Sequence, residues 1–271
     1  MAEQAVADLI LEVLSHKPAG LFSDFDGVLS EIAPTPSSAV AYPGAEVAFR
    51  SISRHLDVAG IITGRAVDDV ARMISIDDLV VVGNHGLEWW EMGDRHDHDA
   101  GTLAVSAIAR VMDETRHQLE GQADITGMIW ENKRLSATIH VRNTADPAAM
   151  EALLLPIVVP LAEENDLRCT PGKMIVEIRP KALVTKGTAI NSLFQTRSLM
   201  SAVYIGDDVT DVDGFRALRE QRALGKHTLA VGVATPDAHP DVLEHADEVV
   251  GSVAEIVEVL KLVAAGLERG A

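Results

Sequence analysis

At 271 residues the chain can bury a sizeable core in one or two domains, and 47% hydrophobic with only 4% aromatic residues points to aliphatic strands packed between helices. Its formal charge of −18, offset by no basic tract, argues against nucleic acid or an anionic membrane as partner. Any anionic ligand would need local cations or a bound metal to offset that charge.

Residues 3–16 set Val6, Leu9, Ile10, Val13 and Leu14 at helical spacing with acids between them, which predicts an amphipathic helix and not a signal peptide. No stretch approaches the ~20 apolar residues of a membrane span, so a soluble, cytoplasmic protein is expected. The apolar run Gly20-Leu21-Phe22-Ser23 predicts a buried strand leading into Asp24-Phe25-Asp26-Gly27, where Gly27 invites a turn. A Pro-rich loop, a helix over 44–55, a strand over 58–63, a helix after Arg65 and a strand over 79–83 follow. His85 lies just past that strand, facing either a site or the core. Trp89 and Trp90 are expected on opposite faces of a strand, and His96 and His98 in a solvated hairpin tip.

The middle of the chain reads differently. A helix over 102–119, a hairpin of strands over 128–131 and 135–142 around Asn132-Lys133, a helix over 147–163, and strands over 167–170 and 173–178 turning at Pro171-Gly172 form an antiparallel α+β piece. The lone Cys169 excludes an internal disulfide, fits a reducing cytosol, and is expected as small apolar filler beside its strand. The βα alternation then resumes: a helix after Lys186, strands over 202–205 and 228–233, a strand over 248–250 and a closing amphipathic helix over 253–267. The fold class expected is α/β, a doubly wound parallel sheet (residues 1–101 and 182–271) with an inserted α+β cap domain (residues 102–181).

Chemistry-bearing residues cluster after the expected strands. Asp24 and Asp26 leave the carboxyl end of a buried strand, where open sheets place ligands; one carboxylate can attack an electrophile and the other can manage a proton. On its own Asp-x-Asp-Gly also suits a surface turn or a calcium loop. Thr63-Gly64-Arg65 offers a hydroxyl and backbone amides to phosphate oxygens at a helix start, or simply an N-capping Thr with a packing Gly. Lys186 stands at a helix start, against the dipole, which suits a cation neutralising a phosphate and a carboxylate. Gly206-Asp207-Asp208-Val209-Thr210-Asp211 crowds acids into one loop, a conflict that a hard cation such as Mg²⁺ resolves. Together the four elements make coincidence improbable.

This ordered set resembles the haloacid dehalogenase-type phosphatases: DFDGVL, TGR, the Lys of TKGTAI, and GDDVTD. Within that superfamily the chain is similar to the trehalose-6-phosphate phosphatase family, through DFDGVLSEIAPTP, GNHGLE at 83–88, ENK at 131–133, HVR at 140–142, GKMIVEIRP at 172–180 and GDDVTDVDGF. The resemblance implies Asp24 as nucleophile and Asp26 as general acid/base. It implies Mg²⁺ held by Asp24, the Asp26 carbonyl and Asp207, with Asp208 supporting that shell. Thr63, Gly64, Arg65 and Lys186 would bind the transferring phosphoryl group. Glu131, Lys133, Arg142 and Glu177 would contact sugar hydroxyls, with Lys173 a weaker candidate. Val28, Thr63, Val212 and Gly214 depart from the usual letters without removing a group the chemistry needs. The activity implied is Mg²⁺-dependent hydrolysis of trehalose 6-phosphate through an aspartyl phosphate. The alternatives are a phosphatase for another sugar phosphate (sucrose or glycosyl-glycerate phosphate), a non-catalytic regulatory homologue, and a receiver-type signalling domain, which is much shorter and has no cap.

Overall fold

The computed structural model describes residues 2–75, 77–172, 174–235 and 240–270. The chain forms two compact units, Met1–His96 with Val184–Ala271, and Asp97–Leu183. The first begins with α1 (Ala2–Leu14), β1 (Ala19–Ser23), α2 (Ala45–Ser53), β2 (Val58–Ile62), α3 (Val67–Met73) and β3 (Val80–Gly83), then β4 (Glu88–Glu91) and β5 (Asp94–Asp97). The second carries α4 (Asp99–Glu120), β6 (Ile129–Asn132), β7 (Ala137–His140), α5 (Pro147–Glu164), β8 (Leu167–Gly172) and β9 (Ile175–Pro180). The chain returns to the first unit with α6 (Lys186–Thr196), β10 (Ser201–Gly206), α7 (Val212–Ala223), β11 (His227–Val233), α8 (Pro240–His245), β12 (Glu248–Val250) and α9 (Val253–Gly270). No helix among the described residues is long and apolar enough to cross a membrane.

The large sheet runs β12-β11-β10-β1-β2-β3-β4-β5, parallel from β12 to β3, with β4 antiparallel to β3. Every residue of β1, β2 and β10 is buried, which is why these segments read as unbroken apolar runs. Successive side chains enter opposite layers. Leu21, Ile61, Val81 and Val203 pack with α1, α2 and α9, whereas Phe22, Ile62, Val80 and Tyr204 pack with α6 and α7. Trp89 and Trp90 divide between the same two layers, as strand alternation requires. The connections leave β1 in opposite directions, so the loops after β1 and β10 meet at the carboxyl edge where the winding reverses.

The second unit is an antiparallel sheet, β6-β7-β9-β8, backed on one face by α4 and α5. Ile108, Val111, Leu154 and Val158 from the helices pack on Ala137, Ile139, Val176 and Ile178 from the strands. The other face carries a polar row in register: Glu131 opposite Thr138, Thr138 opposite Glu177, Glu177 opposite Thr170. Two expectations need correction here. Pro171 and Gly172 do not form the turn; they extend β8 and pair with Val176 and Ile175. Proline fits because β8 is an edge strand with no further neighbour to receive an N–H. The helix expected from 102 begins at Asp99, because the His98 side chain accepts the Ala100 N–H as its cap.

Candidate active site

Asp24 follows β1 directly, and its own N–H still pairs with the Ile205 carbonyl of β10 at 2.9 Å. The residue is 6% exposed; Oδ1 accepts the Phe25 N–H at 2.6 Å and Oδ2 receives Lys186 Nζ at 2.6 Å. Thr185 caps α6 by accepting the Thr188 N–H, which places Lys186 on the first turn, pointing inward with 1% of its surface exposed. The same ammonium donates to Asp211 Oδ1 at 2.6 Å, so one buried cation joins the first and last acidic loops. Burial opposes its charge, but Asp211 and Asp24 outweigh burial and hold the Lys186 pKa above its ordinary value.

Asp211 anchors the acidic loop. Its Oδ1 also accepts from Tyr204 Oη, and its Oδ2 accepts the N–H groups of Asp207 and Asp208 at 3.1 and 3.0 Å. Asp207 is different: no donor among the described residues reaches its carboxylate, although it is 3% exposed. Burial, then the Asp211 and Asp24 charges, push its pKa well above the carboxylate range. Burial, with a smaller push from Asp211, likewise lifts Asp24 to about 7 against the pull of Lys186. Gly27 makes the close approach possible. It is left-handed at φ +73°, and a Cβ there would lie 2.1 Å from Asp207 Oδ2.

Oxygens of Asp24, Asp207 and Asp211 lie within 4.8 Å of one another, a buried acidic cluster that can hold a metal ion. Asp211 accepts two protein donors on each oxygen, whereas Asp24 accepts one on each, so Asp24 and Asp207 are the carboxylates with capacity left for a hard cation. The donor set fits Mg²⁺: two crowded carboxylates with raised pKa values need a positive charge to be ionised together. Of the expected acids, the structure brings Asp24 and Asp207 together and adds Asp211. The side chains of Asp26 and Asp208 stand outside the cluster. Asp26 instead accepts a two-pronged hydrogen bond from Arg65, Nε to Oδ2 at 2.6 Å and Nη2 to Oδ1 at 2.7 Å. Thr63 is buried at the end of β2, its Oγ1 accepting the Arg65 N–H at 3.3 Å.

In the second unit, Glu177 lies between Lys133 Nζ (3.8 Å) and Arg179 Nε (3.3 Å), and Glu131 pairs with His140 Nε2 at 2.9 Å. These groups share the polar sheet face. Arg142 lies just past β7 and is exposed, and Lys173 falls outside the described residues. Sequence reasoning counted Asp211 among the acids of its loop without a separate role, and gave none to Tyr204, His140 or Arg179. The signal for Arg179 was present, two residues beyond Glu177 and therefore on the same face; that for Tyr204 was hidden, since a tyrosine in an aliphatic strand reads as core.

A family model described as trehalose-phosphatase matches residues 22–241. A trehalose-phosphate phosphatase from Mycobacterium leprae is 32% identical over 77% of this chain and 49% of the relative. An uncharacterised glycosyl hydrolase from Mycobacterium tuberculosis is 33% identical over 80% of this chain and 16% of the relative. The chain thus spans about half the length of the former and about a sixth of the latter. Among solved structures, the C-terminal domain of a Candida albicans trehalose-6-phosphate phosphatase superposes with a TM-score of 0.79 at 20% identity, over 98% of this chain and 97% of that one. The fold extends to a sugar phosphatase of the haloacid dehalogenase superfamily, with a TM-score of 0.55 at 14% identity over 92% of this chain and 99% of that one.

Proposed function

Because the chain belongs to the trehalose-phosphatase family, we propose that it is a cytoplasmic, Mg²⁺-dependent phosphatase that hydrolyses trehalose 6-phosphate to trehalose and phosphate. The observation that carries this reading is the buried Lys186 bridging Asp24 and Asp211 beside a donor-poor Asp207. That arrangement suits a nucleophilic carboxylate flanked by cations better than it suits a structural ion pair.

Mg²⁺, held by Asp24, Asp207 and the Asp26 carbonyl with Asp208 nearby, would supply positive charge to the phosphoryl oxygens. Asp24 attacks phosphorus, its carboxylate oxygen forming the new P–O bond as the bond to the sugar oxygen breaks. Asp26 gives its proton to that departing oxygen, then takes one from the water that splits the aspartyl phosphate, so both protons balance over a turnover. The Arg65 fork on Asp26 opens for this transfer. Lys186, Thr63 and the Gly64 and Arg65 amides hold the phosphoryl oxygens in line, which is most of what phosphoryl transfer asks of a protein. Residues 102–181 act as the specificity insert in a catalytic core of residues 1–101 and 182–271, with Glu131, Lys133, Arg142 and Glu177 contacting sugar hydroxyls.

Phosphate release from a panel of sugar phosphates with Mg²⁺ tests the reading. Trehalose 6-phosphate should be turned over far faster than sucrose 6-phosphate or glucose 6-phosphate; a different best substrate overturns the specificity, and no release from any overturns the activity.

A further inference from the structure

The turn between β3 and β4 holds an uncommon run of backbone. Asn84, His85 and Gly86 take φ values of +50°, +57° and +113° in succession, and all three are buried. Side-chain-bearing residues enter the left-handed region rarely, and such strain persists only where its surroundings over-determine it, typically at functional sites.

Here the surroundings are the phosphate-binding segments themselves. The Asn84 N–H donates to the Arg65 carbonyl at 2.8 Å and the His85 N–H to the Thr63 carbonyl at 3.0 Å, straddling Gly64. The His85 ring lies over Gly64, where a Cβ would sit 2.6 Å from Nε2. Glu88, 3% exposed, uses one oxygen for two partners, Asn84 Nδ2 at 3.1 Å and the Val67 N–H at 2.9 Å in the first turn of α3. On the other side, a Cβ on Gly86 would lie 2.8 Å from Val184 Cγ1 and 3.2 Å from the Thr185 carbonyl, next to Lys186. One turn therefore touches both segments that hold the phosphoryl oxygens.

The hydrogen bonds also fix a direction. Thr63 sends its N–H to the Val82 carbonyl at 2.8 Å and its carbonyl to His85, both on the β3 side. In a trans peptide the C=O and the next N–H point opposite ways, so the Gly64 N–H turns towards β1, which pairs with β2 and leads into Asp24. We propose that Asn84, His85 and Glu88 form a strained brace that aims the Gly64 amide at the transferring phosphoryl group, with His85 and Glu88 as positioning residues. This rests on the phosphatase reading above.

Three variants test it: Glu88→Ala, Glu88→Gln and His85→Asn. Glutamine keeps a carbonyl oxygen for Asn84 and the Val67 N–H while giving up the charge that faces Arg95 Nε at 3.6 Å; asparagine tolerates the left-handed backbone and keeps the N–H while removing the ring. Turnover of trehalose 6-phosphate and p-nitrophenyl phosphate is read alongside calorimetric binding of orthovanadate with Mg²⁺, and melting temperature checks folding. Misplacing a transition-state contact should lower kcat about 10- to 100-fold on both substrates in Glu88→Ala and His85→Asn, weaken orthovanadate about tenfold, and move KM less than about threefold. Glu88→Gln should stay within about threefold of the parent. If Glu88→Ala does not fold, His85→Asn decides. Folded variants with parental kcat and orthovanadate affinity overturn the brace, as does a loss confined to KM. A parent that binds orthovanadate without cleaving trehalose 6-phosphate overturns the functional reading alone, because the binding comparison still decides the brace; a parent that binds no orthovanadate overturns the brace.

Discussion

Lys186 sits between two carboxylates that answer to different tests. Asp24→Asn should reduce turnover to below a few per cent of the parent while the chain still melts cooperatively, since it removes the attacking oxygen but little volume; larger residual activity contradicts the nucleophile assignment. Asp211→Ala should instead unsettle the fold. It strands Lys186, Tyr204 and the Asp207 and Asp208 amides, and losing one partner of a buried ionic network costs about 3–5 kcal/mol, measurable by urea unfolding. The acids also set a pH dependence. Burial holds Asp24 at about 7, so between the ordinary carboxylate pKa and that value the folded chain keeps a proton that the unfolded chain releases. Stability of metal-stripped protein should therefore fall as pH rises through this window, and Asp207, raised by burial and by the Asp211 and Asp24 charges, deepens the fall. Melting temperatures of EDTA-treated protein from about pH 4 to about pH 8 check this. At the upper end, Mg²⁺ at a hundredfold excess over its Kd should restore about 5–10 °C; a metal-insensitive profile contradicts the cation site.

At the scale of elements, the polar face of the small sheet carries the claim about the sugar. Glu131→Ala or Lys133→Ala should lower kcat/KM for trehalose 6-phosphate about 10- to 100-fold, the worth of a charged contact to a buried hydroxyl. Hydrolysis of p-nitrophenyl phosphate, which has no sugar to grip, should change little; equal losses on both substrates contradict a sugar-reading role. Most elements were legible in the sequence because burial on both faces of a parallel sheet leaves aliphatic runs such as Val58 to Ile62 that little else produces. The acids at their ends were legible for the same reason: charge directly after such a run is conspicuous. Asp211 was not, because what singles it out is Lys186 arriving from a distant helix and Tyr204 from beneath. Pro171-Gly172 misled because turn chemistry is local, whereas permission for proline on an edge strand comes from the order of the sheet.

At the scale of the whole molecule, the charge of −18 and a site where Lys186 and Arg65 are already committed to carboxylates should repel an incoming phosphate dianion. With Mg²⁺ saturating, raising ionic strength from about 10 mM to about 150 mM should raise kcat/KM roughly two- to threefold by screening that repulsion; a steep decrease would show that the local field is attractive. The pairing of β1 with β10 joins Ala19 to Ser201, and the bond between Asp24 and Lys186 spans 162 residues of chain. During synthesis the strand carrying Asp24 leaves the ribosome early and waits for its neighbour, while Asp97–Leu183, a contiguous stretch, can close on itself as it emerges. A nascent chain halted before residue 186 holds the acid without its cation, so the chemical centre cannot assemble until the whole inserted unit has been made.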